Sequence, residues 1–97
     1  MRFDIVLAPE AVEDLRRLRA DVRTTVRSAI ETHLRHEPEK ISRSRIKRLR
    51  GLERPQYRLR LGEVRIFYDV ADSTVEILAI VAKSEASEWL IQFGSPE

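Results

Sequence analysis

The stretch that decides the fold is Gln56–Val70, with the sequence QYRLRLGEVRIFYDV. Apolar and polar residues alternate on both sides of Gly62-Glu63, with the period of two that is typical of a half-buried β-strand. A two-residue loop with glycine first favours a type II′ turn, and a hairpin with such a loop fixes its own register. The stretch therefore predicts two antiparallel strands, Gln56–Leu61 and Val64–Val70.

The register of this hairpin assigns its side chains to two faces of a sheet, because opposed residues point to the same side. The apolar set predicts the core face: Tyr57, Leu59, Leu61, Val64, Ile66 and Tyr68. The other face receives Arg58, Arg60, Arg65 and Phe67. Arg60 and Arg65 are expected to be direct cross-strand neighbours, which destabilises a sheet by up to about 1 kcal/mol.

Three guanidinium groups around one aromatic ring suit a phosphate backbone with a base to stack. Two alternatives need no ligand. The hairpin could be an edge that arginines keep soluble, or the arginines could pair with Asp69 and Glu76.

The N-terminal part of the chain predicts a strand followed by a helical hairpin. Arg2–Leu7 alternates as a strand does, and Pro9 suits the first turn of a helix. Asp21 is expected to cap a second helix, whose apolar residues recur at helical spacing. That helix is expected to fail near Pro38, because a residue before proline disfavours helix.

The remaining segments complete an α+β fold. Glu39–Pro55 reads as a basic connector with at most a short helix, and Thr74–Val81 is apolar almost throughout, which indicates a central strand. Ser84 is expected to cap a short last helix, and the tail from Phe93 is expected to be loose. The prediction is one domain over residues 1–97: an N-terminal strand, a helical hairpin, a three-stranded antiparallel meander in one sheet, and a C-terminal helix.

The charges are unevenly distributed along the chain, although the net charge is only +2. Arg43–Arg65 holds nine basic residues against two acids, and arginine outnumbers lysine fifteen to three. Arginine is favoured where phosphate is bound, so the pattern favours a polyanionic partner; GC-rich coding is the alternative. The absence of cysteine fits a reducing cytoplasm, and no stretch approaches the roughly 20 apolar residues of a membrane span.

Four segments together resemble the RelE/ParE toxins. Lys47–Gly51 is similar to that family's basic connector, and Tyr57–Arg60 and Val64–Tyr68 are similar to its two arginine-bearing strands. Val75–Val81 resembles its apolar last strand. The resemblance implies a toxin of a type II toxin–antitoxin pair, with a cognate antitoxin, mRNA and the ribosome as partners.

The resemblance also implies a chemistry, because RelE-like members cut mRNA in the ribosomal A site. Arg58, Arg60 and Arg65 match the residues that bind the scissile phosphate during attack by the adjacent 2′-OH, with Lys83 as a further catalytic candidate. The remaining candidates are expected to bind RNA: Arg45, Lys47, Arg48, Arg50 and Phe67.

The segment after the last strand departs from the ribonuclease pattern. Ser84 and Leu90 stand where an arginine and a tyrosine are expected, so Lys83, Glu85 or Glu88 would have to substitute, or the target differs. ParE-like members, which poison DNA gyrase, also lack the ribonuclease set. A silent homologue that acts only in an antitoxin-bound repressor complex is the third alternative.

Other residues are given simpler interpretations. His33 and His36 are three apart but have no evident third ligand, so the sequence predicts no metal site and no cofactor. His33 is expected to pack, and Trp89 to anchor the last helix.

Overall fold

The computed structural model describes all 97 residues of the chain. The elements in chain order are β1 (Asp4–Leu7), α1 (Pro9–Arg17), α2 (Ala20–Leu34), β2 (Ile46–Arg48), β3 (Leu52–Arg54), β4 (Tyr57–Leu61), β5 (Val64–Ala71), β6 (Thr74–Ala82), a 3-10 turn (Lys83–Glu85), α3 (Ala86–Phe93) and β7 (Ser95–Pro96). The expected α+β fold is confirmed. None of the helices has the length and hydrophobicity that a transmembrane helix requires.

Five strands form the main sheet in the order β1-β6-β5-β4-β2. Strand β1 runs parallel to β6, and the other neighbours are antiparallel. The apolar β6 therefore lies between two strands, which confirms the central position predicted for it. The strands β4, β5 and β6 are the predicted meander.

The hairpin register is the one that the sequence predicts. Leu61 pairs with Val64, Arg60 with Arg65, and Arg58 with Phe67. Gly62 has a φ of +57°, and no positive φ occurs at Glu63, as a type II′ loop requires. The two faces of the hairpin therefore carry the predicted sets of side chains.

A β-bulge in β6 explains why its apolar run does not alternate. Phe67 pairs with Ala79 but Tyr68 pairs with Ile77, so Leu78 is an extra residue without a partner on β5. The bulge reverses the alternation, and Ile77 and Ile80 consequently both belong to the core.

Helices α1 and α2 cover one face of the sheet and bury its apolar side chains. Leu59, Ile66 and Tyr68 from the sheet and Val26 from α2 are fully buried in this core. Pro9 lies in the first turn of α1, as predicted. Asp21 is not the cap of α2: the helix begins at Ala20, after Arg19, and Asp21 in its first turn pairs with the Arg19 guanidinium at 2.8 Å.

The connector and the tail form strands that the sequence analysis did not predict. Ile46 pairs with Leu59 and is buried, which adds β2 to the edge of the sheet. The tail is not loose, because Pro96 pairs with Leu52 and so joins β7 to β3. Ser84 is not a cap either: it lies within the 3-10 turn that precedes α3, and no side chain caps that helix.

Candidate functional site

The face of the sheet opposite α1 and α2 carries a cluster of basic residues, here called the arginine face: Lys47, Arg58, Arg60 and Arg65. Lys47 is the cross-strand partner of Arg58, and Arg60 is that of Arg65. Partners in a sheet project to the same side. Three strands therefore bring four cationic side chains together.

No carboxylate neutralises the three arginines of this face. Arg58, Arg60 and Arg65 take part in none of the ion pairs of the structure. The acids that could have paired with them, Asp69 and Glu76, bind Arg54 instead, at 3.2 and 3.0 Å. The arginine face therefore carries positive charge that no ion pair within the chain offsets.

Arg65 is almost completely buried, with 6% of its surface exposed. Its Nη1 donates to the carbonyl oxygens of Gly62 at 2.7 Å and Val64 at 3.0 Å. The hairpin turn therefore holds this guanidinium in one position, and its positive charge lies just below the surface.

Arg58 is half-buried between its two cationic neighbours. Its Nε is shielded from solvent and has no hydrogen-bond partner. Burial lowers the pKa of this guanidinium, and the positive charges of Arg65 and Arg60 lower it further. An unsatisfied buried donor is costly, so the Nε of Arg58 reduces the stability of the folded chain.

The structure corrects the exposure expected of Phe67. Its ring has no accessible surface, because Trp89 of α3 stacks on it at 5.0 Å with an angle of 4° between the ring planes. No nucleobase can reach the Phe67 ring while α3 is in this position. Trp89 anchors the last helix, as predicted, but no sequence pattern indicated that its contact would be Phe67.

Two of the predicted RNA-binding residues do not lie on the arginine face. Arg45 Nη1 contacts His33 Nε2 of α2 at 3.1 Å. Arg48 lies over the ring of the core residue Tyr57, 5.2 Å from its centroid, and donates to the Gln56 carbonyl. Both guanidiniums therefore lie toward the helical layer. His33 is half-buried, and burial followed by the charge of Arg45 lowers its pKa.

The last two candidates border the arginine face. Arg50 is exposed and lines a shallow cleft with Lys47 and Leu90 of α3. Lys83 is exposed at the end of β6, where its backbone N–H donates to the Glu63 carbonyl at 2.7 Å. It therefore stands beside the hairpin turn that also holds Arg65.

Comparison with known proteins identifies relatives of this arrangement. The sequence model of the family described as ParE toxin of type II toxin–antitoxin system, parDE, matches residues 5–86. A double arginine mutant of the Escherichia coli toxin RelE in the free state is 24% identical, with a TM-score of 0.71 over 91% of this chain and 90% of that chain. No curated protein sequence gives a match.

Two solved toxin–antitoxin complexes are also similar. The RelB–RelE complex from Methanococcus jannaschii has 20% identity and a TM-score of 0.65, over 87% of this chain and 96% of that chain. The RelBE2 complex from Mycobacterium tuberculosis has 23% identity and a TM-score of 0.67, over 84% and 92%. These likenesses show the fold. Since the family match spans most of the sequence, the chain belongs to the RelE/ParE family of type II toxins.

Proposed function

We propose that this chain stops translation by cleaving mRNA on the ribosome, with the arginine face as its phosphate-binding surface. The observation that carries the proposal is the unneutralised cluster around the unpartnered Nε of Arg58. Arginine binds phosphate with planar, charge-assisted hydrogen bonds. A phosphodiester on this face would gain from the positive charges of Arg58, Arg60 and Arg65.

The same charges suit the transition state of 2′-OH attack. Negative charge increases on the phosphoryl oxygens as the new bond forms, and preorganised donors that meet it lower the barrier. Arg65 is preorganised by its two bonds to the turn. Lys83, at the same end of the hairpin, is the candidate for proton transfer, which such a reaction also requires.

We also propose an antitoxin as the partner of this toxin in the cytoplasm. The similar structures from M. jannaschii and M. tuberculosis are toxin–antitoxin complexes. An acidic antitoxin segment that folds on binding would neutralise the three arginines of this face, which have no ion-pair partners within the chain.

The test is to induce the chain alone and to map mRNA 5′ ends. New ends at ribosome-bound codons are expected, and Arg58→Ala should abolish both the ends and the growth arrest. Arg27→Ala is the matched control, since Arg27 is an exposed arginine of α2 without an ion-pair partner. Growth arrest without new 5′ ends would refute cleavage.

Inhibition of DNA gyrase is the second candidate, and two observations favour it. The matching family is described as ParE toxin. Trp89 also covers the Phe67 ring, so that a nucleobase cannot stack on it. In this case arrest would come with defective supercoiling and intact mRNA. Tight antitoxin binding without any toxicity would instead identify a silent homologue.

A further inference from the structure

A second candidate site lies beside α3, away from the arginine face. It is a cavity of about 510 Å³ between α1 and α3, bordered by Glu10 and Asp14 on one side and by Trp89 and Phe93 on the other. This volume is within the range of pockets that bind small ligands or single side chains. The opposite flank of α3 presents Leu90 toward Lys47.

Two carboxylates and two guanidiniums border this cavity. Arg17 borders it but is paired with Asp14 at 2.8 Å. Arg54 borders it as well, and its guanidinium is shared between two carboxylates of the sheet, Asp69 at 3.2 Å and Glu76 at 3.0 Å. Glu10 has no ion-pair partner. Glu10 is therefore the one charged residue bordering the cavity whose charge no ion pair offsets, and an anionic ligand is disfavoured.

The aromatic walls point to a cation. Trp89 and Phe93 lie 5.6 Å apart with their planes tilted by 39°. Phe93 is 59% exposed. Aromatic faces attract Arg and Lys side chains, and the apolar stems of those side chains pack on such surfaces.

We propose that this cavity receives an arginine or lysine side chain of a partner protein, whose neighbouring apolar residues pack on Phe93. The unpaired Glu10 carboxylate selects a basic side chain, and the exposed Phe93 ring beside the cavity selects a protein segment over a free polyamine. This inference is independent of whether the toxin acts on mRNA or on gyrase, because it uses neither the arginine face nor Lys83.

The test uses the intrinsic fluorescence of Trp89, the only tryptophan of the chain. Two amphipathic peptides that differ only by arginine or glutamate at the same positions are titrated into the full-length protein. Titration of the arginine peptide should change the Trp89 emission until the signal saturates. Glu10→Gln should weaken the affinity for the arginine peptide about fivefold, as expected for the loss of one nearby charge. Phe93→Ala should weaken it as well.

Glu13→Gln is the matched control, because Glu13 is an exposed acid of the same helix that pairs with Arg16 and does not border the cavity. It should bind the arginine peptide as the wild type does. Glu10 is exposed, so its variant is expected to fold, and circular dichroism verifies this. Equal binding of the glutamate peptide, an unchanged affinity of Glu10→Gln, or equal affinity for spermidine would each overturn the proposal.

Discussion

Arg60 stands directly opposite Arg65 across the β4–β5 hairpin, yet Arg60 is exposed while Arg65 is 6% exposed. The turn carbonyls hold the buried guanidinium, and no carboxylate neutralises either one. Like charges directly opposed in a sheet reduce its stability. The pair is therefore a cost to the fold, and a bound polyanion would remove it.

Replacing Arg60 by glutamine should stabilise the free protein. Arg60→Gln removes one charge of the opposed pair and keeps a long side chain, so the free energy of unfolding should rise by up to about 1 kcal/mol. Urea denaturation at low salt measures it. Arg27→Gln, on an exposed position of α2, should leave stability unchanged. A less stable Arg60→Gln protein would show that the guanidinium has a stabilising contact after all.

Arg58→Met should separate stability from toxicity. Methionine fits the half-buried position and removes a shielded Nε that has no partner. Since an unsatisfied buried donor costs about 1–3 kcal/mol, the variant should be at least as stable as the wild type while it loses growth arrest. Thermal unfolding and a plating assay measure the two effects. A variant that unfolds at lower temperature and remains toxic would contradict both parts.

The hairpin could be predicted because its register depends on local sequence alone. Loop length and alternation determine which residues face each other. The arginine face, apart from Lys47 on β2, can therefore be predicted from Gln56–Val70. The burial of Phe67 could not be predicted in this way. It depends on α3 returning across the sheet to place Trp89 on the ring, which is a contact between distant segments.

Two other features were hidden by short or uniform patterns. Strand β2 has three residues, of which only Ile46 is apolar, so no periodicity reveals it. The bulge at Leu78 lies within a continuous apolar run, where one extra residue does not disturb the pattern. Local polarity therefore predicted the elements with strong alternation, and tertiary pairing determined the others.

Trp89→Ala should loosen α3 without unfolding the sheet. No residue of α3 is fully buried, and the stack on Phe67 is its closest aromatic contact with the sheet. Such a stack contributes about 0.5–1.5 kcal/mol beyond the burial of its surface. Amide hydrogen exchange of residues 86–93 should accelerate, while Trp89→Phe should retain most of the protection. Unchanged exchange in Trp89→Ala would mean that the β3–β7 pairing alone holds the helix.

Replacing Asp14 of α1 by alanine should destabilise the central strand β6. Asp14 Oδ2 accepts from the backbone N–H of Ile80 at 3.0 Å, beyond the end of β1, where β6 has lost its neighbour. Alanine would leave that N–H unpaired, at a cost of about 1–3 kcal/mol. Asp14→Asn keeps an acceptor and loses only the pair with exposed Arg17, so it should cost less than 1 kcal/mol. Urea denaturation distinguishes the two, and equal losses would contradict the role given to Ile80.

His33 should make the folded state less stable as the pH falls. Burial, and then the charge of Arg45, lower the pKa of His33 below its ordinary 6.5. The Arg45 guanidinium donates to Nε2 only while the ring is neutral. Between the lowered pKa and 6.5 the unfolded chain binds more protons than the folded chain, so stability is complete above about pH 6.5 and decreases below it.

His33→Gln keeps an acceptor for Arg45 without a titrating group, and its urea midpoint should change less between about pH 7.5 and 5.5 than that of the wild type. His36→Gln serves as the control, since the hydrogen bond of its ring is to the Met1 carbonyl and not to Arg45. The same pH dependence in His33→Gln as in the wild type would assign the effect to another group.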